Sequence, residues 1–500
     1  MKVLLFDPPY ERLMGIKTTP IYPIGLGYLS SVLNKAGHES HYINLDFDLT
    51  LPYSNPFSRV ANIRNYERYI AETRDDSNHP VWNELRKFIK SSSPNVVGIS
   101  CISIKMRSAL KMTRIIKKCD KNITVILGGH HPQLFAHEIL KSCSHVDIIV
   151  KGEGEYTLLD VVEALEKNND SLDEKFSNIQ GIYFRNFKNS IVETESRVLI
   201  SNLDDLPFPD SAKYLRNSSL ELIPLTALMA SRGCPYKCNY CATNNIWQRK
   251  MRMRSVEEFI SEIDHRVKNQ HDYYYTFFDD CFTLNKRWIV EFCDKLIKDK
   301  LHINWSCISS VNLVDENIFK KMVQAGCTKI NLAVESGSER ILKEANKKVD
   351  LDYVRYIFKY ARRYNISTAA YFMLGFPTET VEDIRKTQNI IKELEPNWAY
   401  VNVLIPLPGT EYYRWTVDNN LINAELAWSG DIYKHLQVNY TGTIEDELFN
   451  ELIDETFELS FKINRKISNV WRRIPVREYI YNPGKIISDV GKFTSWLKRK

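Results

Sequence analysis

Cys234-Pro235-Tyr236-Lys237-Cys238-Asn239-Tyr240-Cys241 sets three cysteines in the order C-x3-C-x2-C. The stretch follows an apolar run, Leu222 to Ala230, that reads as a buried strand. Gly233 precedes the first cysteine and Pro235 follows it, so the three thiols belong to a loop leaving the C-terminal end of that strand. Thiolates spaced this tightly suit Zn or an iron–sulfur cluster. A structural Zn site asks for a fourth protein ligand, and none follows nearby: His271 lies thirty residues beyond Cys241 and inside another element. Three ligands fit a 4Fe–4S cluster better, because they leave one iron open. Buried structural thiols are the plain competing reading.

Outward from this loop the chain repeats a βα pattern. Tyr273–Phe278 reads as a strand ending in Asp279-Asp280, and Ile303–Ile308 as a strand ending in Ser309-Ser310. Lys329–Val334 ends in Glu335-Ser336-Gly337, Ser367–Leu374 in Gly375-Phe376-Pro377, and Ala399–Leu404 in Pro406-Leu-Pro-Gly409. With the cluster strand these make a (β/α)6 partial TIM barrel, whose chemistry gathers at the C-terminal rim. Cys281, Cys307 and Cys327 read as core packing. Toward the N-terminus, Lys2–Phe6, His38–Asn44, Asn95–Ser100, Thr124–Leu127 and Asp147–Val150 alternate with helices. That alternation predicts a doubly wound, Rossmann-like parallel sheet with ligand loops at its C-terminal edge. No G-x-G-x-x-G follows the first strand, which disfavours a dinucleotide.

The expected divisions are a first domain over 1–175 with an insertion at 46–93, in which only Trp82 to Lys90 reads as helix; a hairpin and Pro-rich linker over 176–220; the core over 221–430; and a small helical, basic region over 431–500. The insertion is a candidate cover for cofactor or substrate. A net charge of +5 is too small to argue for nucleic acid, and no uninterrupted apolar run is long enough for a membrane span. Ten scattered cysteines predict a reducing, cytoplasmic setting rather than a disulfide framework. Phe461 onward holds eleven Lys/Arg against two acids, among aromatics. This tail is a solvated face, an anionic substrate site, or a peripheral membrane contact.

With Tyr240 just before the last cysteine, the loop resembles the signature of the radical S-adenosylmethionine (SAM) superfamily. The resemblance implies a 4Fe–4S cluster on Cys234, Cys238 and Cys241 whose open iron chelates SAM, an electron donor such as flavodoxin or ferredoxin, and reductive cleavage to a 5'-deoxyadenosyl radical. It implies that Asp279 and Asp280 lie at the methionine amino end, that Glu335 and Ser336 serve the ribose and carboxylate, and that Tyr240, Gly375, Phe376 and Pro377 face adenine. One departure is visible. Many relatives carry an Arg for the SAM carboxylate after the third strand, where this chain has Ser309-Ser310-Val311-Asn312.

Pro23-Ile-Gly25-Leu-Gly-Tyr-Leu29, Gly128-Gly129-His130-His131-Pro132 and Gly152-Glu153-Gly154-Glu155 resemble the cobalamin-binding domain that precedes many radical SAM cores. Ser100, ending the third strand, joins them as an expected cobalamin contact. The D-x-H-x-x-G loop that supplies a cobalt-ligating His is absent, so cobalamin is expected without a His ligand. His130 and His131 read as structural turn residues. Together these resemblances imply a cobalamin-dependent radical SAM enzyme that methylates an unactivated carbon of a small-molecule or lipid substrate. The alternatives are a cyclase- or oxidase-type radical reaction and a non-catalytic cobalamin or SAM sensor.

Overall fold

A computed structural model describes residues 1–16, 22–48, 50–51, 59–167, 171–216, 218–223, 226–270, 274–364, 366–430, 438–466 and 468–469. Two compact units emerge. The first gathers Met1–Ala227, Ser231–Arg254 and Leu404–Gly442; the second gathers Leu228–Ala230, Ser255–Val403 and the chain from Thr443.

The first unit is built on nine strands: β1 (Lys2–Asp7), β2 (Glu39–Asn44), β3 (Val96–Ser100), β4 (Thr124–Gly128), β5 (Ile148–Val150), β6 (Ile182–Arg185), β7 (Ile191–Glu193), β8 (Lys213–Arg216) and β9 (Ser219–Leu222). Their order is β7-β6-β5-β4-β3-β1-β2-β8-β9. β1 to β5 and β8 run parallel, while the hairpins at both edges add antiparallel strands. Near-continuous apolar runs such as Val3-Leu4-Leu5-Phe6 are what a strand covered on both faces requires. The order reverses between β1 and β3, which is where a doubly wound sheet receives its ligand.

The insertion holds a helix at Arg59–Glu72 as well as the expected one, found at Pro80–Ser92. Trp82 is fully buried and its indole N–H donates to Glu72 O at 3.0 Å, so these helices form part of the layer over the sheet. The first helix was hidden by its polar composition.

β10 (Ala227–Leu228) belongs to the second sheet. The single strand expected over Leu222–Ala230 is therefore corrected. Ser219–Leu222 pairs antiparallel with β8, Leu222 is 61% exposed, and only Ala227–Leu228 enters the second sheet. Pro224 supplies the reason, since a residue without an N–H does not sit inside a central strand. After β10, a short antiparallel ribbon of β11 (Ser231–Arg232) and β12 (Arg252–Met253) brackets the cysteine loop.

The second unit completes a parallel sheet with β13 (Tyr274–Phe277), β14 (Asn304–Ser309), β15 (Cys327–Glu335), β16 (Ser367–Leu374) and β17 (Trp398–Val403), in the order β10-β13-β14-β15-β16-β17. This is the expected six-stranded partial barrel. Its core packs Phe259, Phe277, Phe282, Trp288, Phe292 and Trp305 at centroid separations near those favoured by aromatic pairs. Helix Asp446–Arg465 covers the open edge at β17. Asn464 accepts from Ala399 N–H at 2.7 Å and donates to its carbonyl at 2.9 Å, which Ser460 also reaches at 2.6 Å. At Ala399 the helix takes the ladder groups that an edge strand would otherwise offer a second chain. No helix among the described residues is long and apolar enough to cross a membrane. The basic tail lies almost wholly outside the described residues, and with it the membrane-surface reading.

Candidate active site

The cysteine loop is set by its two ends. At the first, Gly233 adopts φ +96°, and a Cβ there would overlap the carbonyl oxygen of Lys250. Inside the loop, Cys241 N–H donates to Cys238 O at 3.1 Å and Asn244 Nδ2 donates to Tyr236 O at 3.1 Å. Residues 404–442 hold it from outside: Tyr412 N–H donates to Asn239 O at 3.2 Å and Asn245 Nδ2 to Pro408 O at 3.3 Å. Cys234, Cys238, Tyr240 and Cys241 are all half-buried, and no disulfide involves the three cysteines. The donor chemistry fits an iron–sulfur cluster: three soft sulfur ligands on one loop, partly shielded from water. Among the described residues no three or more His, Cys, Asp or Glu side chains converge as a ready-made metal group.

Beneath the loop, Arg232 is buried and bound on both arms. Its Nη1 donates to Glu153 Oε1 at 2.7 Å and its Nη2 to Glu155 Oε1 at 2.6 Å. Arg252, across the ribbon, donates to Glu153 Oε2 at 2.7 Å and to Ile200 O at 2.6 Å. The Arg232 guanidinium also lies 5.1 Å from the Tyr28 ring centroid and 5.7 Å from that of Trp247. Burial works against charge at Glu153, yet the hydrogen bond from Arg252 and the charge of Arg232 outweigh it and hold the carboxyl below its ordinary range.

The other expected cobalamin residues sit at the C-terminal edge of the same sheet. Ser100, Gly128 and Gly129 close β3 and β4, and Gly152 follows β5 with its N–H donating to Gln133 Oε1 at 3.0 Å. Pro23 and Gly25 open helix Ile24–Lys35. Gly25, Gly129 and Gly152 are exposed, and a Cβ on Gly25 or Gly152 would meet nothing within 4 Å. That is space in which a large flat ligand can approach the backbone. At the ends of β1 and β2, Lys105 Nζ pairs with Asp7 at 2.8 Å and Asp46 at 3.1 Å. His131 is structural: it bonds Ser103 Oγ at 2.9 Å and Trp428 O at 3.0 Å, and burial pushes it down to about 4.

In the second unit the expected SAM residues fall at successive strand ends. Phe278 N–H donates to Leu228 O at 2.8 Å, which sets Asp279 beside the exit of β10, where its Oδ2 accepts from Ala230 N–H at 3.4 Å. Asp279 is buried and Asp280 is exposed. The β15–β16 register shifts between Ala333 and Glu335, and Glu335 has φ +72°. An irregularity of this kind re-aims a side chain at a strand end. Ser336 is fully buried, with its hydroxyl accepting from Ser338 N–H at 3.1 Å and lying 3.2 Å from Thr387 Oγ1. Gly375, with φ +88°, Phe376 and Pro377 form a buried turn after β16. Cys281, Cys307 and Cys327 are buried, and burial pushes the Cys281 thiol up to about 11.

Two rim groups escaped the sequence reading. Lys347 brings its Nζ within 3.4 Å of Glu335 Oε1, with 12% of its side chain exposed, and so supplies a cation absent after β14. It follows a helix rather than a strand, so no strand-end rule finds it. Glu379 is fully buried. Its Oε2 accepts from Gly375 N–H at 2.5 Å and Phe376 N–H at 3.2 Å, while Oε1 has no partner. Burial raises its pKa to about 8 against those two donors. The folded chain then holds a proton there that the unfolded chain has lost between about 4.5 and 8, and stability falls as pH rises through that window. Glu379→Gln is expected to flatten this fall in melting curves taken from pH 5 to pH 9. Parallel curves for both proteins would show an ionised Glu379.

The Radical SAM superfamily model matches residues 228–391, and the B12 binding domain model matches residues 18–162. This chain is a radical SAM protein with a B12 binding domain. An uncharacterized methyltransferase of Pyrococcus horikoshii is 27% identical over 98% of this chain and 95% of its own length. A cytidylyl-2-hydroxyethylphosphonate methyltransferase of Streptomyces wedmorensis is 25% identical over 93% and 89%. An anaerobic magnesium-protoporphyrin IX monomethyl ester cyclase of Rubrivivax gelatinosus is 27% identical over 66% and 60%. Among solved structures, the radical SAM methyltransferase TsrM of Kitasatospora setae superposes with a TM-score of 0.62 at 16% identity, covering 83% of this chain and 74% of that one. The radical SAM protein thus shares that fold at an identity too low to carry more.

Proposed function

We propose that this radical SAM enzyme transfers a methyl group from SAM, by way of cobalamin, to an unactivated carbon of a small molecule. The observation that carries this reading is the pairing, in one chain, of a B12 binding domain with a Radical SAM region bearing the three-cysteine loop. The near full-length similarity to a methyltransferase supports it.

When bound, the cluster and SAM supply a 5'-deoxyadenosyl radical, and cobalamin supplies the methyl group. Cys234, Cys238 and Cys241 hold the iron. Asp279 and Glu335 are acceptors for the SAM amino and ribose groups, and Lys347 is the counter-ion for its carboxylate in place of the missing arginine. The Gly375–Pro377 turn, fixed by Glu379, would offer adenine an apolar surface, and Tyr240 is a further candidate adenine contact by its place in the cysteine motif. Ser100, Gly128, Gly129 and Gly152, with Pro23 and Gly25, would hold the corrinoid. A one-electron reductant of the flavodoxin or ferredoxin kind completes the system.

A cyclase reaction is the second reading, favoured by the relatives of that name. The two separate by product. Reconstituted enzyme given methyl-labelled SAM, hydroxocobalamin, reductant and a small-molecule extract is expected to form both S-adenosylhomocysteine and 5'-deoxyadenosine, with label in a product. Deoxyadenosine alone, with an unlabelled product that has lost hydrogen, would replace methylation by cyclisation.

A further inference from the structure

We infer that Glu153 and Glu155 are positioning residues for the cluster loop and not contacts of the corrinoid. The inference rests on the reading of Cys234–Cys241 as the cluster loop. Both carboxylates lie in the region matched as a B12 binding domain, while Arg232 and Arg252 lie in the Radical SAM region. The four form a balanced set of two cations and two anions. Glu153 bridges the arginines: one oxygen accepts from Arg232 and the other from Arg252 and from Ile200 N–H at 2.7 Å. Glu155 takes the second arm of Arg232.

The side chains of Glu153 and Glu155 are only 3% and 5% exposed, which leaves no open face for a cofactor. Arg232 and Arg252 are partners in the ribbon β11–β12. Glu153 therefore clamps both ends of the loop at once, and Arg232 stands two residues before Cys234. Tyr28 completes the socket from the helix that follows Pro23. The glycines beside these residues fit the same role. A Cβ on Gly27 would press on the linker at Asp210 O, 2.8 Å away, and one on Gly154 would crowd Leu29 at 3.2 Å.

The test uses the full chain, reconstituted anaerobically, with Glu155→Gln and Glu155→Asp. Three quantities are read: iron release to a chelator, the electron paramagnetic resonance spectrum of the reduced cluster, and hydroxocobalamin affinity. Groups supporting metal ligands typically alter metal affinity by about 10–100-fold, so Glu155→Gln is expected to release iron about tenfold faster and shift the spectrum, with corrinoid affinity within about twofold of the parent. Glu155→Asp keeps the charge and should recover the parent spectrum in part. Unchanged iron release with weakened corrinoid binding would overturn the assignment. So would a lowered melting temperature with an unaltered spectrum. A parent chain that takes up no cluster would instead remove the proposed function, a result separate from either.

Discussion

Cys238→Ser is expected to lower SAM cleavage by more than about a thousandfold, because the reductive chemistry belongs to the cluster and not to any side chain. The fold should survive. Cys238 is half-buried, the substitution keeps its volume nearly constant, and its carbonyl still accepts the Cys241 N–H at 3.1 Å. Unfolding free energy should stay within about 0.5 kcal/mol of the parent. Cys307→Ser gives the opposite pattern. That thiol is fully buried, and burial pushes its pKa well up. A hydroxyl placed there has only the weak Cys327 thiol as partner and costs about 1–3 kcal/mol, while iron content should not change. Measuring iron, cleavage and stability on both variants separates a ligand from a packing thiol. A Cys238→Ser protein with full iron would remove the three-cysteine site.

Gly233→Ala is expected to be among the most damaging single-methyl changes in the chain. The residue has φ +96°, a region that side-chain-bearing residues rarely enter, and the new Cβ would overlap backbone rather than a movable side chain. Strain of this kind costs about 1–3 kcal/mol before the overlap is counted. Relief requires β11 and β12 to separate, which would shift the cluster loop with them. The variant should therefore lose iron as well as stability. Gly25→Ala is the control. It sits exposed at the start of a helix, with nothing within 4 Å of the new atom. Gly to Ala in a helix usually gains about 0.5–1 kcal/mol, so stability should hold or rise, and any effect should appear in corrinoid binding alone. Equal melting curves for the parent and Gly233→Ala would show that the ribbon tolerates the atom.

Much of this molecule was legible where local sequence decides. The run Val3–Phe6 is apolar without a break and makes a covered strand, and the cysteine spacing marks its own loop. The successive strand ends at Asp279, Glu335 and Gly375 follow from the βα repeat. What stayed hidden depends on contacts distant in sequence or on composition that misleads. Apolar residues from Leu222 to Ala230 suggested one strand, yet Leu222 ends an edge hairpin and Ala227–Leu228 enters a second sheet. Arg59–Glu72 carries so many polar residues that its helix did not stand out. Glu153 and Glu155 lie in a glycine-rich motif that suggests cofactor contact, and only the fold brings Arg232 to them across nearly eighty residues. Lys347 stayed hidden because it follows a helix rather than a strand end.

The interleaving of the two units sets a timetable for synthesis. The first unit includes residues as late as Gly442, so it is not complete when Ala227 leaves the ribosome. At about 5–20 residues per second, roughly two hundred further residues take some ten to forty seconds. For the start of that interval Glu153 and Glu155 have no arginine to neutralise them, and the clasp forms only once Arg232 and Arg252 have emerged. Until then two carboxylates that end up buried lack their counter-charges. A fragment ending before Arg232 lacks both arginines for good.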